Sequence, residues 1–164
     1  MSKQIAKEPE FQISLFLGRA YYSYLGMLGR LLKARGLDKH LKPGVGNILF
    51  ALFREDDRTA TEIGAALGLA RSTMARLVDK VRQLGLVTTR PDPEDGRAVR
   101  ISLTKEARSL MPDCFELANH IESTICRDFS PEERESFADL LLRATSNITD
   151  ELKILDENKF STTP

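Results

Sequence analysis

The sequence predicts a mainly α-helical fold with one small β-hairpin, and three observations lead to this fold class. Apolar residues recur at three- and four-residue steps towards both ends of the chain, as expected of long amphipathic helices. Two shorter helical patterns lie between them, joined by a tight turn at Gly68 and Leu69. The period changes to two only at 99–103, after the turn-forming residues 91–96.

The first helix is predicted over about 11–35. Its apolar face is formed by Leu17, Tyr21, Tyr24, Leu28 and Leu31. Gly36 is placed to end the helix. This face is broader than a chain of 164 residues usually covers by itself, so we expect a second subunit.

A second helix is predicted to open at Pro43, where the missing backbone N–H costs nothing. Its buried side is predicted to comprise Val45, Ile48, Leu49, Leu52 and Phe53. The charged run 54–58 that follows is predicted to be a loop.

The middle of the chain has the strongest local signals. Thr59 and Glu62 fit a capping box at the start of a short helix. Its predicted inward residues are Ile63, Ala66 and Leu67. The next helix is predicted over about 71–84 and ends at Gly85, with Met74, Leu77, Val78 and Val81 inward. Strands at 86–90 and 99–103 then form a hairpin.

Two further helices are predicted after the hairpin. Thr104 is expected to cap the fifth helix, which Pro112 should kink or delay. Residues 130–133 open the sixth with a capping residue, a proline and a glutamate. The apolar positions of these helices are Leu110, Cys114, Leu117, Ile121 and Ile125, then Phe137, Leu140, Leu141, Ala144, Ile148 and Leu152. The tail after Glu157 is predicted to be disordered.

A short helix, a tight turn, a second helix and a hairpin together make a winged helix-turn-helix arrangement. A helix about 10 Å across fits the major groove of DNA, which is about 12 Å wide. The second helix should therefore carry polar and cationic groups on its outward face. The candidate DNA contacts on this helix are Arg71, Ser72, Thr73, Arg76 and Lys80.

These segments resemble the MarR family of transcriptional regulators. The run RSTMARLVDKVRQLGLV is similar to the family's recognition helix, and DPEDGRAVRISLT is similar to its wing, with an Asp-x-Arg pair at Asp95 and Arg97. The resemblance covers about 11–155. It implies a homodimer formed by interlocked terminal helices, and a ligand pocket between the dimerisation and DNA-binding parts. The chain departs from the pattern at Arg58, where an apolar residue is usual, at Gly64, where alanine is usual, and at Ala70, where a capping residue is usual.

The wing, over about 88–102, is expected to enter the minor groove. Asp95 is predicted to hold the guanidinium of Arg97 through a charge-assisted hydrogen bond. Arg97 could then enter an A·T-rich minor groove, where the negative potential is strongest. Arg100 is a further candidate contact. The alternative is that Asp95 and Arg97 pair for structural reasons alone.

A small aromatic or anionic effector is the candidate ligand. Arg19, Tyr22 and His40 are the side chains that could line its pocket. A tyrosine-rich helix is more often core or dimer interface, and that alternative stays open.

Composition disfavours several other classes of protein. The formal net charge of zero hides basic segments, +5 over 1–53 and +4 over 71–111, and an acidic segment, −7 over 112–164.

The chain has no Gly-rich phosphate loop and no zinc-ligand spacing, so we expect neither an enzyme nor a cofactor. Charges interrupt the most apolar run and no signal peptide is visible, so we expect a cytoplasmic protein without a membrane span. Cys114 and Cys126 are expected to be buried free thiols.

The resulting hypothesis is a ligand-responsive repressor that binds a pseudo-palindromic operator in double-stranded DNA as a homodimer. Residues 39–103 are predicted to form the DNA-binding domain, and residues 1–38 and 104–164 the helical dimerisation region. The alternatives are a winged helix that binds protein without binding DNA, an enzyme, and a redox sensor of the same family. The absence of a cysteine before Cys114 disfavours the redox sensor.

Overall fold

The computed structural model describes residues 12–42 and 44–160, with side chains up to residue 155. The chain divides between residues 43 and 44 into two compact units. Within residues 12–42 the first unit holds the helix α1, Gln12–Ala34. The elements of the second unit are α2 (Val45–Arg54), β1 (Arg58–Thr59), α3 (Ala60–Leu67), α4 (Arg71–Gln83), β2 (Val87–Pro91), β3 (Val99–Leu103), α5 (Lys105–Ser109), α6 (Met111–Ile125) and α7 (Pro131–Phe160).

Helix α1 ends at the predicted glycine. Gly36 has a φ of 69°, in the left-handed region. The N–H of Leu37 donates to the carbonyl of Leu32 at 2.9 Å, which satisfies one of the last free carbonyls of the helix. Leu32 is buried, whereas most other large apolar side chains of α1 are exposed. The predicted first residue, Phe11, lies outside the described residues.

Helix α2 begins later than predicted. Pro43 lies outside the described residues, and the helix starts at Val45, after Gly44 at a φ of 85°. Four of the five predicted inward residues are buried; the fifth, Phe53, is half-buried, with its ring centroid 5.8 Å from that of Phe50. Arg54 still belongs to the helix and Arg58 to strand β1, so the predicted loop shrinks to 55–57.

Helices α3 and α4 form the helix-turn-helix pair. Gly68, at a φ of 62°, ends α3 and makes the predicted tight turn. The buried positions of α3 are Ile63 and Gly64; the prediction for Ala66 is wrong, because that residue is exposed beside this face. In α4 Leu77 is half-buried, and the other three predicted inward residues, Met74, Val78 and Val81, are buried.

The three strands form one antiparallel sheet in the order β1-β3-β2. The central strand β3 pairs Ile101 with both Arg58 and Thr89. Ile101 and Leu103 are buried, and Arg100 and Ser102 between them are half-buried, which follows the predicted alternation. Strand β1 was not predicted, since two residues have no periodicity to read.

The C-terminal part has one more helix than predicted. The Thr104 hydroxyl accepts from the N–H of Ala107 at 3.2 Å, so the predicted cap of the fifth helix is confirmed. That helix stops at Ser109, and Pro112 lies in the first turn of a separate helix, α6. Helix α7 continues to Phe160, so the prediction of disorder after Glu157 is wrong through that residue.

Large apolar side chains of α7 are exposed along the described length of the helix. They are Phe137, Leu140, Leu141, Leu142, Ile148, Leu152, Ile154 and Leu155. The described residues therefore leave the apolar face of α7 uncovered. Across residues 12–42 and 44–160, none of the helices combines the length and apolar character that a membrane crossing requires.

Candidate nucleic-acid interface

The outward face of α4 carries the first group of candidate residues. Arg71, Ser72 and Arg76 are exposed, and Thr73 is half-buried. In the described part of the chain, the guanidinium groups of Arg71 and Arg76 make no hydrogen bond or ion pair. Both cations are therefore available to an acceptor outside the chain.

The first turn of α4 starts without a side-chain cap. Ala70 occupies the capping position with extended backbone, at φ −61° and ψ 149°, and has no oxygen to offer the free N–H groups of the helix. The departure from the family pattern at Ala70 therefore leaves α4 without a side-chain cap. The free backbone N–H groups of this first turn therefore receive no cap from the side chain of Ala70.

The cationic side chains in the second half of α4 are less available to a ligand. Lys80 is half-buried. Arg82 forms an ion pair with Asp79, with Nη2 3.1 Å from Oδ1. The accessible positive charge of α4 is therefore concentrated in its first two turns.

The wing differs from its prediction at Asp95 and Arg97. The carboxylate of Asp95 accepts from the backbone N–H of Arg97 at 3.0 Å, and the carbonyl of Asp95 accepts from the N–H of Ala98 at 2.8 Å. The predicted bond to the Arg97 guanidinium is wrong, because the backbone N–H two residues on lies closer to this short side chain in a tight turn. Among the described residues the Arg97 side chain has no ion pair, and it is exposed.

Asp92 fixes the start of the wing tip. It is 8% exposed, and its Oδ1 accepts from the backbone N–H groups of Asp95 and Glu94 at 3.0 and 2.8 Å. Its Oδ2 accepts from Nη1 of Arg100 at 2.8 Å. These two backbone hydrogen bonds, followed by the bond from Arg100, hold the pKa of Asp92 below its ordinary value.

Arg100 is bound on its other side by Asp57, in the turn between α2 and β1. Its Nη2 donates to the Asp57 carbonyl at 2.6 Å, and its Nε lies 3.2 Å from Oδ2. The same carboxylate accepts from the Ser102 hydroxyl at 2.8 Å and from Nη2 of Arg90 at 2.7 Å. The Ser102 hydrogen bond, then Arg90 and the charge of Arg100, lower the pKa of Asp57.

We call these five residues, Asp57, Arg90, Asp92, Arg100 and Ser102, the wing-base cluster. The neighbouring residue Asp56 extends it, since its Oδ1 accepts from the N–H of Leu103 at 2.9 Å and its Oδ2 pairs with Arg108. Four residues of this network were not predicted from the sequence: Asp56 and Asp57 of the α2–β1 turn, Asp92 and Arg108. Asp57 and Arg100, for example, are more than 40 positions apart in the chain. No local sequence pattern indicates an ion pair between residues so far apart.

Two of the three candidate ligand residues lie together. Arg19 and Tyr22 line an open groove on α1 with Ser14, Leu15, Gly18 and Ser23. All of the lining residues belong to this one helix, and His40 is not among them. The groove does not enclose a small molecule, so the effector pocket stays a prediction.

Together the capped α3, the turn at Gly68, the exposed first turns of α4 and the antiparallel sheet define a winged helix-turn-helix protein. The model of the MarR family matches residues 41–98, so the resemblance to that family is confirmed over the segment that carries these elements.

Solved structures of regulators have the same fold. A probable transcriptional regulator from Pseudomonas aeruginosa superimposes with a TM-score of 0.71 at 23% identity, covering 84% of this chain and 99% of that one. A MarR transcriptional regulator from Methanosarcina mazei Go1 gives a TM-score of 0.62 at 22% identity, covering 96% of each chain. Bordetella bronchiseptica BpsR, whose DNA binding is regulated by 6-hydroxynicotinic acid, gives 0.68 at 22% identity, covering 82% of this chain and 98% of that one. At these identities the likeness shows the fold.

Proposed function

We propose that this protein is a sequence-specific DNA-binding transcriptional regulator that inserts α4 into the major groove. The observation that carries the proposal is the exposure of Arg71, Ser72 and Arg76 in the first two turns of α4, with both guanidinium groups uncommitted among the described residues. Arginine forks onto the O6 and N7 atoms of guanine, and serine bonds several base edges. Thr73 and Lys80 flank this set as half-buried further contacts.

The wing supplies the second contact in this proposal. Arg97 stands exposed at the end of a turn whose backbone is fixed by Asp95 and Asp92. A guanidinium on a rigid tip loses little backbone freedom when it enters a minor groove, which favours binding. Asp95 therefore contributes by shaping the turn.

The DNA-binding unit in this proposal is a homodimer. Exposed apolar side chains on α1, α6 and α7 leave more apolar surface than a monomer usually exposes. Residues 1–38 and 104–164 would provide the dimer interface, and residues 39–103 would bind DNA. A two-fold dimer places two α4 helices on two half-sites, so the operator should be pseudo-palindromic.

A small aromatic or anionic effector is proposed to release the repressor from DNA. The support is the regulation of BpsR by 6-hydroxynicotinic acid, together with the aromatic and cationic side chains Tyr22 and Arg19 on one groove of α1. His40 is kept as a further proposed contact.

Selection of bound fragments from random DNA tests the proposal, followed by fluorescence anisotropy on the selected site across a salt series. Arg76→Ala should relax base preference at particular positions at a cost of about 1–3 kcal/mol. Arg143→Ala, an exposed arginine of α7, is the matched control and should bind like wild type. Absence of enriched DNA and of any salt-dependent binding would favour a winged helix that binds protein instead.

A further inference from the structure

We propose that Arg100, held between Asp57 and Asp92, is a positioning residue of the wing that acts on DNA through Arg97 and does not contact DNA itself. The inference rests on the proposed DNA-binding function. It differs from the sequence-based expectation, in which Arg100 was a direct contact alongside Arg97.

The hydrogen-bonding capacity of Arg100 is largely used inside the protein. Nε and Nη2 face the carbonyl and carboxylate of Asp57, and Nη1 faces the carboxylate of Asp92. The side chain is 27% exposed. To reach a phosphate, this guanidinium would have to leave two carboxylates, one of them nearly buried. The exposed Arg97, which has no carboxylate partner among the described residues, has no such cost.

The position of Arg100 links two parts of the fold that the backbone of the hairpin alone does not join. Asp92 is where the wing tip leaves β2, and its other oxygen fixes the backbone N–H groups of Glu94 and Asp95. Asp57 lies in the α2–β1 turn, at the opposite edge of the sheet from β2. Arg100, on the central strand, therefore ties the wing tip to the body that carries α3 and α4.

The backbone at Asp57 supports a specialised role for this residue. Its φ is 58°, in the left-handed region that few residues other than glycine, asparagine and aspartate adopt. The conformation points both its carbonyl and its carboxylate at Arg100. Asparagine tolerates the same backbone, so Asp57→Asn removes the charge without adding strain.

A double-mutant cycle on DNA affinity tests the inference. Arg97→Ala should weaken binding about tenfold and lower the salt slope by about 1.8, because the proposed dimer loses two phosphate-proximal charges at about 0.9 each. Arg100→Ala alone should weaken binding to a similar extent. If Arg100 acts through Arg97, then Arg100→Ala in the Arg97→Ala background should cost less than about twofold, with no further loss of slope.

Asp57→Asn provides a second test whose sign separates the models. Removal of a negative charge near DNA should tighten binding if only the net charge matters. If the interaction between Asp57 and Arg100 positions the wing, Asp57→Asn should instead weaken DNA binding. The same substitution should not change the affinity of the Arg97→Ala variant. Lys153→Ala, which breaks an exposed ion pair with Asp150 on α7, is the matched control and should alter neither affinity nor slope.

Hydrogen exchange of the wing amides in the DNA-free protein gives a readout without ligand. The N–H groups of Asp95, Arg97 and Ala98 should exchange faster in Arg100→Ala and in Asp57→Asn than in wild type. Additive losses in the cycle, with a combined slope change of about 3.6 for the four charges lost per dimer, would overturn the inference while leaving the DNA-binding function intact. Wild-type protein that binds no DNA would overturn the proposed function instead. If Arg100→Ala does not fold, the DNA affinities of Asp57→Asn with and without Arg97→Ala test the inference in its place.

Discussion

Thr59 and Glu62 satisfy each other's backbone at the start of α3. The N–H of Thr59 donates to Oε2 of Glu62 at 2.7 Å, and the N–H of Glu62 donates to Oγ1 of Thr59 at 3.2 Å. At the corresponding position of α4, Ala70 has no side chain that can do this. The N-terminus of α4, which carries the proposed DNA contacts, is therefore less well capped than the N-terminus of α3.

Ala70→Ser should stabilise the protein. The extended backbone of Ala70 already has capping geometry, so the serine hydroxyl can accept from a free N–H in the first turn of α4. The free energy of unfolding should rise by about 1 kcal/mol, measured by urea denaturation. Thr59→Ala should lower it by a similar amount. No change in either variant would show that the helix-turn-helix caps contribute little to stability.

Gly64→Ala should also stabilise the fold. A Cβ at this position would lie 3.5 Å from the carbonyl oxygen of Leu69 and 3.6 Å from Cγ of Met74, which are ordinary contact distances. Replacing a helical glycine by alanine contributes about 0.5–1 kcal/mol. Gly68→Ala is the opposite control, because its φ of 62° makes any Cβ unfavourable. A Gly64→Ala variant that melts below wild type would contradict the packing of α3 on α4.

Ile148→Glu should dissociate the proposed dimer. Ile148 is 50% exposed in the single chain and lies on the apolar stripe of α7 with Leu141 and Leu152. A carboxylate buried in an interface without a partner is strongly unfavourable. Sedimentation velocity at micromolar concentration should show monomer for this variant and dimer for Ser146→Glu, which places the same charge on another face of α7. A dimeric Ile148→Glu variant would exclude this stripe as the interface.

The charge of Asp57 should make the free energy of unfolding depend on pH in the acid range. The Ser102 hydroxyl, Arg90 and Arg100 lower its folded-state pKa, so the charged form is favoured in the folded state. This stabilisation is fully present above the ordinary aspartate pKa of about 3.9, and is lost as the pH falls through that value towards the lowered one. Asp57→Asn should therefore be less stable than wild type at pH 7, and the difference should shrink below about pH 4. Urea denaturation at pH 7, 5 and 3 measures this, and a constant difference would count against the proposed charge pairing.

Cys114 should be unreactive in the native protein. Burial, followed by the charge of Asp113, raises its pKa to about 11, and the thiol is 3% exposed. Burial and Glu122 also raise the pKa of Cys126. Because the thiolate is the reactive form, both residues should label slowly with a disulfide reagent at pH 8 and quickly after denaturation. Rapid native labelling, or loss of DNA binding in peroxide that a Cys114→Ser and Cys126→Ser variant resists, would point to redox control.

The sequence signals that proved reliable act within a few residues. Gly36, Gly68 and Gly85 end helices at left-handed φ values, and Ser130 and Glu133 cap α7 reciprocally with hydrogen bonds of 2.8 and 3.2 Å. The short range of these interactions makes them readable, since both partners stand next to each other in the chain. Closeness in the chain did not settle which group of a neighbouring residue accepts or donates the bond. Asp95 bonds the backbone of Arg97, because competition between a nearby N–H and a more distant guanidinium depends on the path of the turn.

Local sequence patterns were enough to predict the helix-turn-helix pair and the hairpin, because capping, helix termination and periodicity are properties of local backbone and hydrophobic spacing. Which charged side chains are paired depends instead on the folded chain. It brings Asp57 to Arg100 across 43 positions and leaves Arg71, Arg76 and Arg97 facing outward without carboxylate partners among the described residues. An ion pair depends on distance in space, and the folded sheet alone sets the distance between the α2–β1 turn and the wing.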